Sequence, residues 1–331
     1  MSKVYKALIV RQLEDKSFVK SIEECNINDL PKGELLIRTH YSSLNYKDIL
    51  SCSGNRGVTR HYPHTPGIDV AGIIEFSSVD TFKIGDKVIV SGSDMGENIA
   101  GGFGQYVRIP SKWAVHLPVG LSLRESMIYG TAGYTAGLCI DYLINQNVKS
   151  QNGEILVTGA TGGVGSISVA ILSKLKYEVV ASSGKSNAIE YLNRIGSCKV
   201  IGRENIVDKI SMGLMRESWS AAIDSVGGDT LSALIKSCKQ NGIVIAVGMV
   251  ASSSLNTSVF PFILRGVNLK GINATIVKPE YRKQIWEKLA NEWKPDNLED
   301  IITIVSIEQL ENAIDKVFNG KIKGRVVVDM R

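Results

Sequence analysis

Val157-Thr158-Gly159-Ala160-Thr161-Gly162-Gly163-Val164-Gly165 is the stretch from which the fold is read. It follows Ile155-Leu156-Val157, a continuous apolar run of the kind found in strands buried on both faces of a sheet. After it, apolar residues over 164–175 recur at helical spacing. A glycine-rich turn between a buried strand and a helix presents free backbone N–H groups and the positive end of the helix dipole. That arrangement suits a dinucleotide pyrophosphate. Gly162 would let the backbone approach it, and Gly165 would let the helix pack closely on the strand. The pattern departs from G-x-G-x-x-G at its first position, which is Ala160.

Outward from the loop, the alternation continues. Strands are predicted at 178–181, 199–201, 220–224, 243–247 and 267–272, with helices at 188–195 and 231–238. Such alternation implies a parallel, doubly wound sheet. Upstream, short apolar runs at 6–10, 35–39, 70–76 and 87–90 are broken by Pro, Gly and Asp turns, which predicts an antiparallel, barrel-like domain. Downstream, helices at 281–293 and 307–318 and a strand at 325–328 are predicted to pack back on that first domain. The fold class is therefore α/β. Residues 1–124 form the first part of the barrel domain and 125–266 the nucleotide-binding domain. Residues 267–331 are the last strand of its sheet and the returning tail.

The second strand of the nucleotide-binding domain bears on the cofactor. NAD-binding proteins place an acid at its tip for the ribose 2′-hydroxyl, whereas NADP needs that acid absent and a cation near. Here the strand runs Glu178-Val179-Val180-Ala181 and ends Ser182-Ser183-Gly184-Lys185, with no carboxylate at the tip. Ser183 and Lys185 are candidates for a 2′-phosphate, with Arg203 after the third strand as a second cation. NADP(H) is expected. The alternative is that Lys185 only caps a turn.

Bulk properties narrow the function classes. The 331 residues suit two domains, and the net charge of +5 is scattered rather than clustered, which argues against nucleic acid. Met1-Ser2-Lys3-Val4-Tyr5-Lys6 lacks the apolar core of a signal peptide, and no apolar run approaches a membrane span. The five cysteines (Cys25, Cys52, Cys139, Cys198, Cys238) are widely spaced and suggest neither disulfides nor a metal cluster, so a cytoplasmic protein is expected.

Four further stretches precede the loop in order: Pro66-Gly67-Ile68-Asp69-Val70-Ala71-Gly72, Gly85-Asp86-Lys87-Val88, Gly101-Gly102-Phe103-Gly104-Gln105-Tyr106-Val107 and Gly130-Thr131-Ala132-Gly133-Tyr134-Thr135-Ala136. Together they resemble the medium-chain dehydrogenase/reductase superfamily over nearly the whole chain. The resemblance implies a GroES-like barrel with an inserted Rossmann domain. The zinc-dependent alcohol dehydrogenases of that superfamily carry a Cys, a Gly-His-Glu histidine and a third ligand. This sequence has Leu44-Asn45-Tyr46-Lys47-Asp48 and Gly67-Ile68-Asp69 instead, and it lacks the four cysteines of the structural zinc lobe. No metal site is expected, because zinc needs three or four convergent ligands. His61 and His64 are three apart, but Pro63 breaks any helix between them, and they read as loop surface or ligand contacts.

The match is thus to the zinc-free quinone oxidoreductase branch. Ser43-Leu44-Asn45-Tyr46-Lys47-Asp48, 130–136 and Pro261-Phe262-Ile263-Leu264-Arg265-Gly266 are similar to its bacterial acryloyl-CoA reductase subgroup. The resemblance implies Tyr46 beside the nicotinamide and Thr131 among the cofactor-binding residues. It also implies Thr161, Gly162, Gly163, Val164, Ser183, Gly184, Lys185 and Arg203 on the phosphates, and Met249, Ile263 and Asn319 along the cofactor. A homodimer is implied as well, through the region 244–267.

Without a metal nothing would polarise an alcohol oxygen. A quinone or α,β-unsaturated carbonyl, acryloyl-CoA among them, fits as hydride acceptor. Tyr46 is the first candidate for a hydrogen bond near the developing enolate, Asn45 a second donor, and Asp48 an orienting or relay group. Each has a plainer alternative. Tyr46 and Asn45 would then only position the nicotinamide, and Asp48 would cap the helix that begins there or pair with Lys47 or an arginine. Arg56 and Arg60 lie in the loop expected nearest the cleft and would suit a CoA phosphate. The alternative from another class is an NADPH-binding protein with little or no turnover.

Overall fold

The computed structural model describes residues 3–208 and 210–331. Met1 and Ser2, which begin the N-terminal segment read above, and Lys209 lie outside the described residues. The chain forms two compact units: Met1–Thr131 with Thr275–Ala290 and Ile302–Arg331, and Ala132–Ala274 with Asn291–Ile301.

In the second unit six strands pair in parallel, in the order Lys199–Gly202, Val179–Ser183, Ile155–Val157, Trp219–Asp224, Cys238–Ala246 and Asn268–Gly271. Numbered within the sheet this is 3-2-1-4-5-6, the order of a Rossmann sheet. Ile155, Leu156 and Val157 are fully buried, as a central strand between two helical layers requires. The glycine turn leads into the helix Gly163–Lys174, with Gly162 as its N-cap. A Cβ on Gly165 would sit 2.4 Å from the Gly159 carbonyl oxygen, so only glycine permits this approach of helix to strand. Ala160 is fully buried, and the left-handed turn falls one residue earlier, at Gly159 (φ 56°). The departure from the glycine pattern therefore costs nothing.

In the first unit Val4–Gln12 and Phe18–Asn26 form an antiparallel hairpin. A seven-stranded sheet runs from Ile302–Ser306 through Arg325–Asp329, Leu35–Leu44, Val70–Ser77 and Lys87–Val90 to Ala114–His116, with Tyr106–Ile109 also paired to Leu35–Leu44. All of its pairings are antiparallel except the first, Ile302–Ser306 with Arg325–Asp329. Leu35, Ile37, Val70, Ile74, Val88, Val90 and Val107 fill one side of its core. The helix Leu310–Phe318 contributes Leu310 and Ile314 to another, against Leu8, Ile49 and Val328.

Among the elements not anticipated from the sequence are the strands Phe18–Asn26, Tyr106–Ile109, Ala114–His116 and Ile302–Ser306, the short helices Glu204–Val207 and Phe260–Arg265, and the long helix Leu123–Asn145. That helix is broken at Gly130, whose φ of 50° and ψ of −157° are open only to glycine. Among the described residues, no helix is long and apolar enough to cross a membrane.

Candidate active site

The site residues fall into two groups, one in each unit. In the second unit a pocket is lined by Thr158, Thr161, Ser183, Gly184, Lys185 and Arg203, together with Val226 and Thr230. The strand extends to Ser183, two residues beyond its predicted end, and this carries the Ser183 hydroxyl to the pocket mouth. There it accepts the Lys185 backbone N–H at 3.0 Å. The Arg203 guanidinium lies across the open backbone of Gly184, where a Cβ would meet Nη2 at 3.4 Å. No carboxylate lines the pocket, and two cationic side chains, Lys185 and Arg203, do.

The floor of this pocket rests on a residue that sequence reasoning missed. Asp224 is fully buried at the end of Trp219–Asp224. It accepts the Thr158 hydroxyl and the backbone N–H groups of Val226 (3.3 Å) and Gly227 (2.8 Å). Burial raises its pKa, and those three donors pull it back. Met249 and Ile263 are 68% and 74% exposed, Met249 in the loop after Cys238–Ala246 and Ile263 on the short helix Phe260–Arg265; neither lines the pocket.

The second group is a buried polar network in the first unit. Asn45 is the N-cap of the helix Tyr46–Cys52 and Asp48 its N3 residue. Asp48 Oδ2 accepts the Asn45 backbone N–H at 2.8 Å, while its other oxygen accepts Gly67 N–H (3.2 Å) and Ile68 N–H (2.9 Å). Asp48 has no exposed surface. Burial pushes its pKa up to about 7, against the pull of the Asn45 and Ile68 donors. Of the roles considered for it, the structure supports capping: it holds the helix and the 67–68 backbone together and offers no face to a substrate. It does not pair with Lys47, which binds Glu97 at 2.8 Å.

Asp69 is the hub. Its carboxylate accepts the Ser43 hydroxyl (2.6 Å), the Asn45 side-chain amide (2.7 Å), and both the backbone N–H (2.8 Å) and hydroxyl (2.7 Å) of Thr131. Gly130 makes room for this, since a Cβ there would stand 2.4 Å from Asp69 Oδ2. Arg325, 2% exposed, lies beside the carboxylate with Nη2 at 3.8 Å from Oδ2. Asn45 is thereby spent on protein partners: its amide on Asp69 and its carbonyl on Arg325 at 3.2 Å. Tyr46, the first residue of the helix, is 45% exposed and turned out of the network.

Thr131 joins the network to a further loop by accepting Gly92 N–H at 3.1 Å. The carbonyls of Ser91 and Gly92 are held by the two terminal nitrogens of Arg282, each at 3.0 Å. Asn319 closes its own helix by donating to the Asp315 carbonyl at 2.7 Å. Arg56 is tied to the Arg60 carbonyl and the Gln12 side chain and lies 5.1 Å over the Tyr62 ring. His64 is buried, bonded to the Gly96 carbonyl at 3.0 Å, while His61 is exposed. Burial without a nearby anion lowers the His64 pKa.

Ile68 is buried beside Asp69, whose carboxylate accepts four donors from the protein itself. Among the described residues no group of three or more His, Cys, Asp or Glu converges on a point.

Comparison with known proteins supplies the family. The alcohol dehydrogenase GroES-like domain family matches residues 31–119, and the zinc-binding dehydrogenase family matches 163–291. YhfP of Bacillus subtilis, which carries a quinone oxidoreductase name, is 38% identical over 100% of both chains. Its crystal structure with NAD bound superposes with a TM-score of 0.96, covering 99% of each chain. The acrylyl-CoA reductase AcuI of Ruegeria pomeroyi is 38% identical over 99% of each. The yhdH oxidoreductase of Salmonella enterica, solved with NADP, is 36% identical with a TM-score of 0.95, covering 98% of this chain and 100% of that one. Matched end to end by proteins of one kind, the chain belongs to the medium-chain dehydrogenase/reductase superfamily of oxidoreductases.

Proposed function

We propose that this protein is an NADPH-dependent, zinc-independent reductase of quinones or α,β-unsaturated carbonyls, with short enoyl-CoA esters such as acryloyl-CoA in the same class. The observation that carries the reading is the second unit's pocket, in which Ser183, Lys185 and Arg203 meet without a carboxylate. A ribose 2′-hydroxyl gains little from two cations; a 2′-phosphate gains charge-assisted hydrogen bonds from each. Relatives support this: NADP is bound in the Salmonella protein, although NAD is bound in the Bacillus one.

Bound NADPH supplies a hydride to an electron-poor carbon. The chain's own residues align and stabilise. Thr161, Gly162, Gly163 and Val164 would hold the phosphates at the start of the helix Gly163–Lys174, and Met249 and Ile263 would flank the cofactor. Tyr46 and Thr131 would sit at the nicotinamide, and the Tyr46 hydroxyl is the donor for the oxygen that becomes an enolate as the β-carbon takes hydride. A proton on the α-carbon completes the reduction. Asp48, Asn45 and Asp69 act through the backbone they hold. Arg56 and Arg60 stay candidates for a CoA phosphate on the strength of charge alone.

The test is the loss of NADPH absorbance with acryloyl-CoA, 1,4-benzoquinone and a simple enone offered in parallel. Turnover of any of them with NADPH preferred over NADH supports the reading. NADPH binding without turnover of any acceptor would favour a non-catalytic NADPH-binding protein. We also propose a homodimer through the region 244–267, supported by the exposed Val259, Phe260, Ile263 and Leu264 beside an edge strand, Asn268–Gly271, paired on one side only. Light scattering giving a monomer's mass at micromolar concentration would dismiss it.

A further inference from the structure

We propose that Arg325 is a positioning residue for hydride transfer: its buried guanidinium fixes, from one point, the two backbone segments that carry Tyr46 and Thr131. The inference rests on the reductase reading above for what those two residues do.

Arg325 opens the last strand, Arg325–Asp329, and is 2% exposed, ahead of the apolar Val326, Val327 and Val328. Nε donates to the Ile128 carbonyl at 3.0 Å. Nη1 donates to the Leu44 carbonyl at 3.0 Å and to Asn45 Oδ1 at 3.2 Å, and Nη2 to Ser43 Oγ at 2.7 Å. These partners are not scattered. Ser43, Leu44 and Asn45 are the three residues immediately before Tyr46. Ile128 stands two residues before the Gly130 break and three before Thr131. The break takes Ile128 out of regular helical pairing and leaves its carbonyl for the guanidinium. Asp69 then links the same two segments from the other side, through Ser43, Asn45 and Thr131.

The residue type is specific to the task. A planar guanidinium directs five N–H groups along fixed lines, whereas a lysine ammonium is a single point with three. Four partners in three directions therefore require arginine. Stability alone does not account for it, because a buried ion pair is often matched or bettered by apolar side chains of similar volume. What the fork supplies is a fixed spacing between the Tyr46 and Thr131 segments, and hydride transfer is steeply sensitive to such spacing.

Three proteins test this: wild type, Arg325→Lys, and Arg325→Ala with and without added methylguanidinium. Arg325→Lys is expected to fold and to lose kcat by on the order of 100-fold, the effect of about an ångström of misplacement. Binding of 2′,5′-ADP, which reports only the phosphate pocket, is expected to stay within about 3-fold, because that pocket shares no partner with Arg325. Methylguanidinium is expected to restore part of the kcat of Arg325→Ala. An unchanged kcat in both variants would overturn the proposal. So would a loss that follows the unfolded fraction without rescue, or an Arg325→Lys chain that does not fold. If wild type turns over no acceptor, the reductase reading fails by itself. The positioning role is then read from binding: Arg325→Lys should weaken NADPH relative to 2′,5′-ADP, and an unchanged ratio refutes it.

Discussion

Arg203 and Lys185 line the same pocket as Ser183, and no carboxylate is among its lining residues. Charge-assisted hydrogen bonds to a phosphate contribute about 1.5–3 kcal/mol each. Arg203→Gln should therefore weaken NADPH binding by roughly 10- to 100-fold. NADH binding should be nearly unaffected; calorimetric titration with both cofactors checks this, and an equal loss for the two would remove Arg203 from the 2′-phosphate. His64 permits a prediction about pH. Burial lowers its folded pKa below the ordinary 6.5, so the unfolded chain binds a proton that the folded chain refuses. The stability contribution is complete above pH 6.5 and is lost as pH falls below it, by up to ~1.4 kcal/mol per pH unit. His64→Gln keeps a donor for the Gly96 carbonyl and should flatten that slope in urea unfolding between pH 5 and 7. A slope unchanged by the substitution would place the effect elsewhere.

At the scale of elements, the breaks and ends of helices do the positioning. Gly130 interrupts Leu123–Asn145 at the point where Thr131 meets Asp69 and Ile128 meets Arg325. Gly130→Ala imposes both a backbone conformation open only to glycine and a Cβ 2.4 Å from Asp69 Oδ2. Strain of ~1–3 kcal/mol and overpacking of similar size should together lower stability by about 2–6 kcal/mol. Chemical denaturation measures it, and a loss below about 1 kcal/mol would mean that the network tolerates a side chain there. This helix also marks where sequence reading stopped. Its residues are buried on most sides, so no one-sided helical period stood out, and the glycine motif at 130–136 was legible as a motif but not as a helix break. Phe18–Asn26 was missed because its residues are half-buried throughout, without the alternation of a one-sided strand. Ile302–Ser306 escaped for the same reason.

Across the whole molecule, what local pattern encodes was readable: the glycine turn, the parallel strand order and the acid-free strand tip that ends at Ser183. What depends on partners distant in the chain was not. Arg325 meets Leu44 across 281 positions, and Asp69 meets Thr131 across 62. The available signal was a charged residue at the head of the strand Arg325-Val326-Val327-Val328 and another, Asp69, just before Val70-Ala71. A buried charge in an apolar strand needs a partner, and that alone could have flagged the pair. The same network bears on the metal. The proposed zinc independence rests on an apolar Ile68 and on an Asp69 carboxylate already engaged by four protein donors beside Arg325. The most direct test is NADPH oxidation by protein dialysed against a strong chelator, with acryloyl-CoA or benzoquinone as acceptor. Unchanged turnover after chelation, with kcat/KM for NADPH well above that for NADH, is the predicted result. Activity that disappears with the metal and returns with zinc, or that prefers NADH, would contradict it.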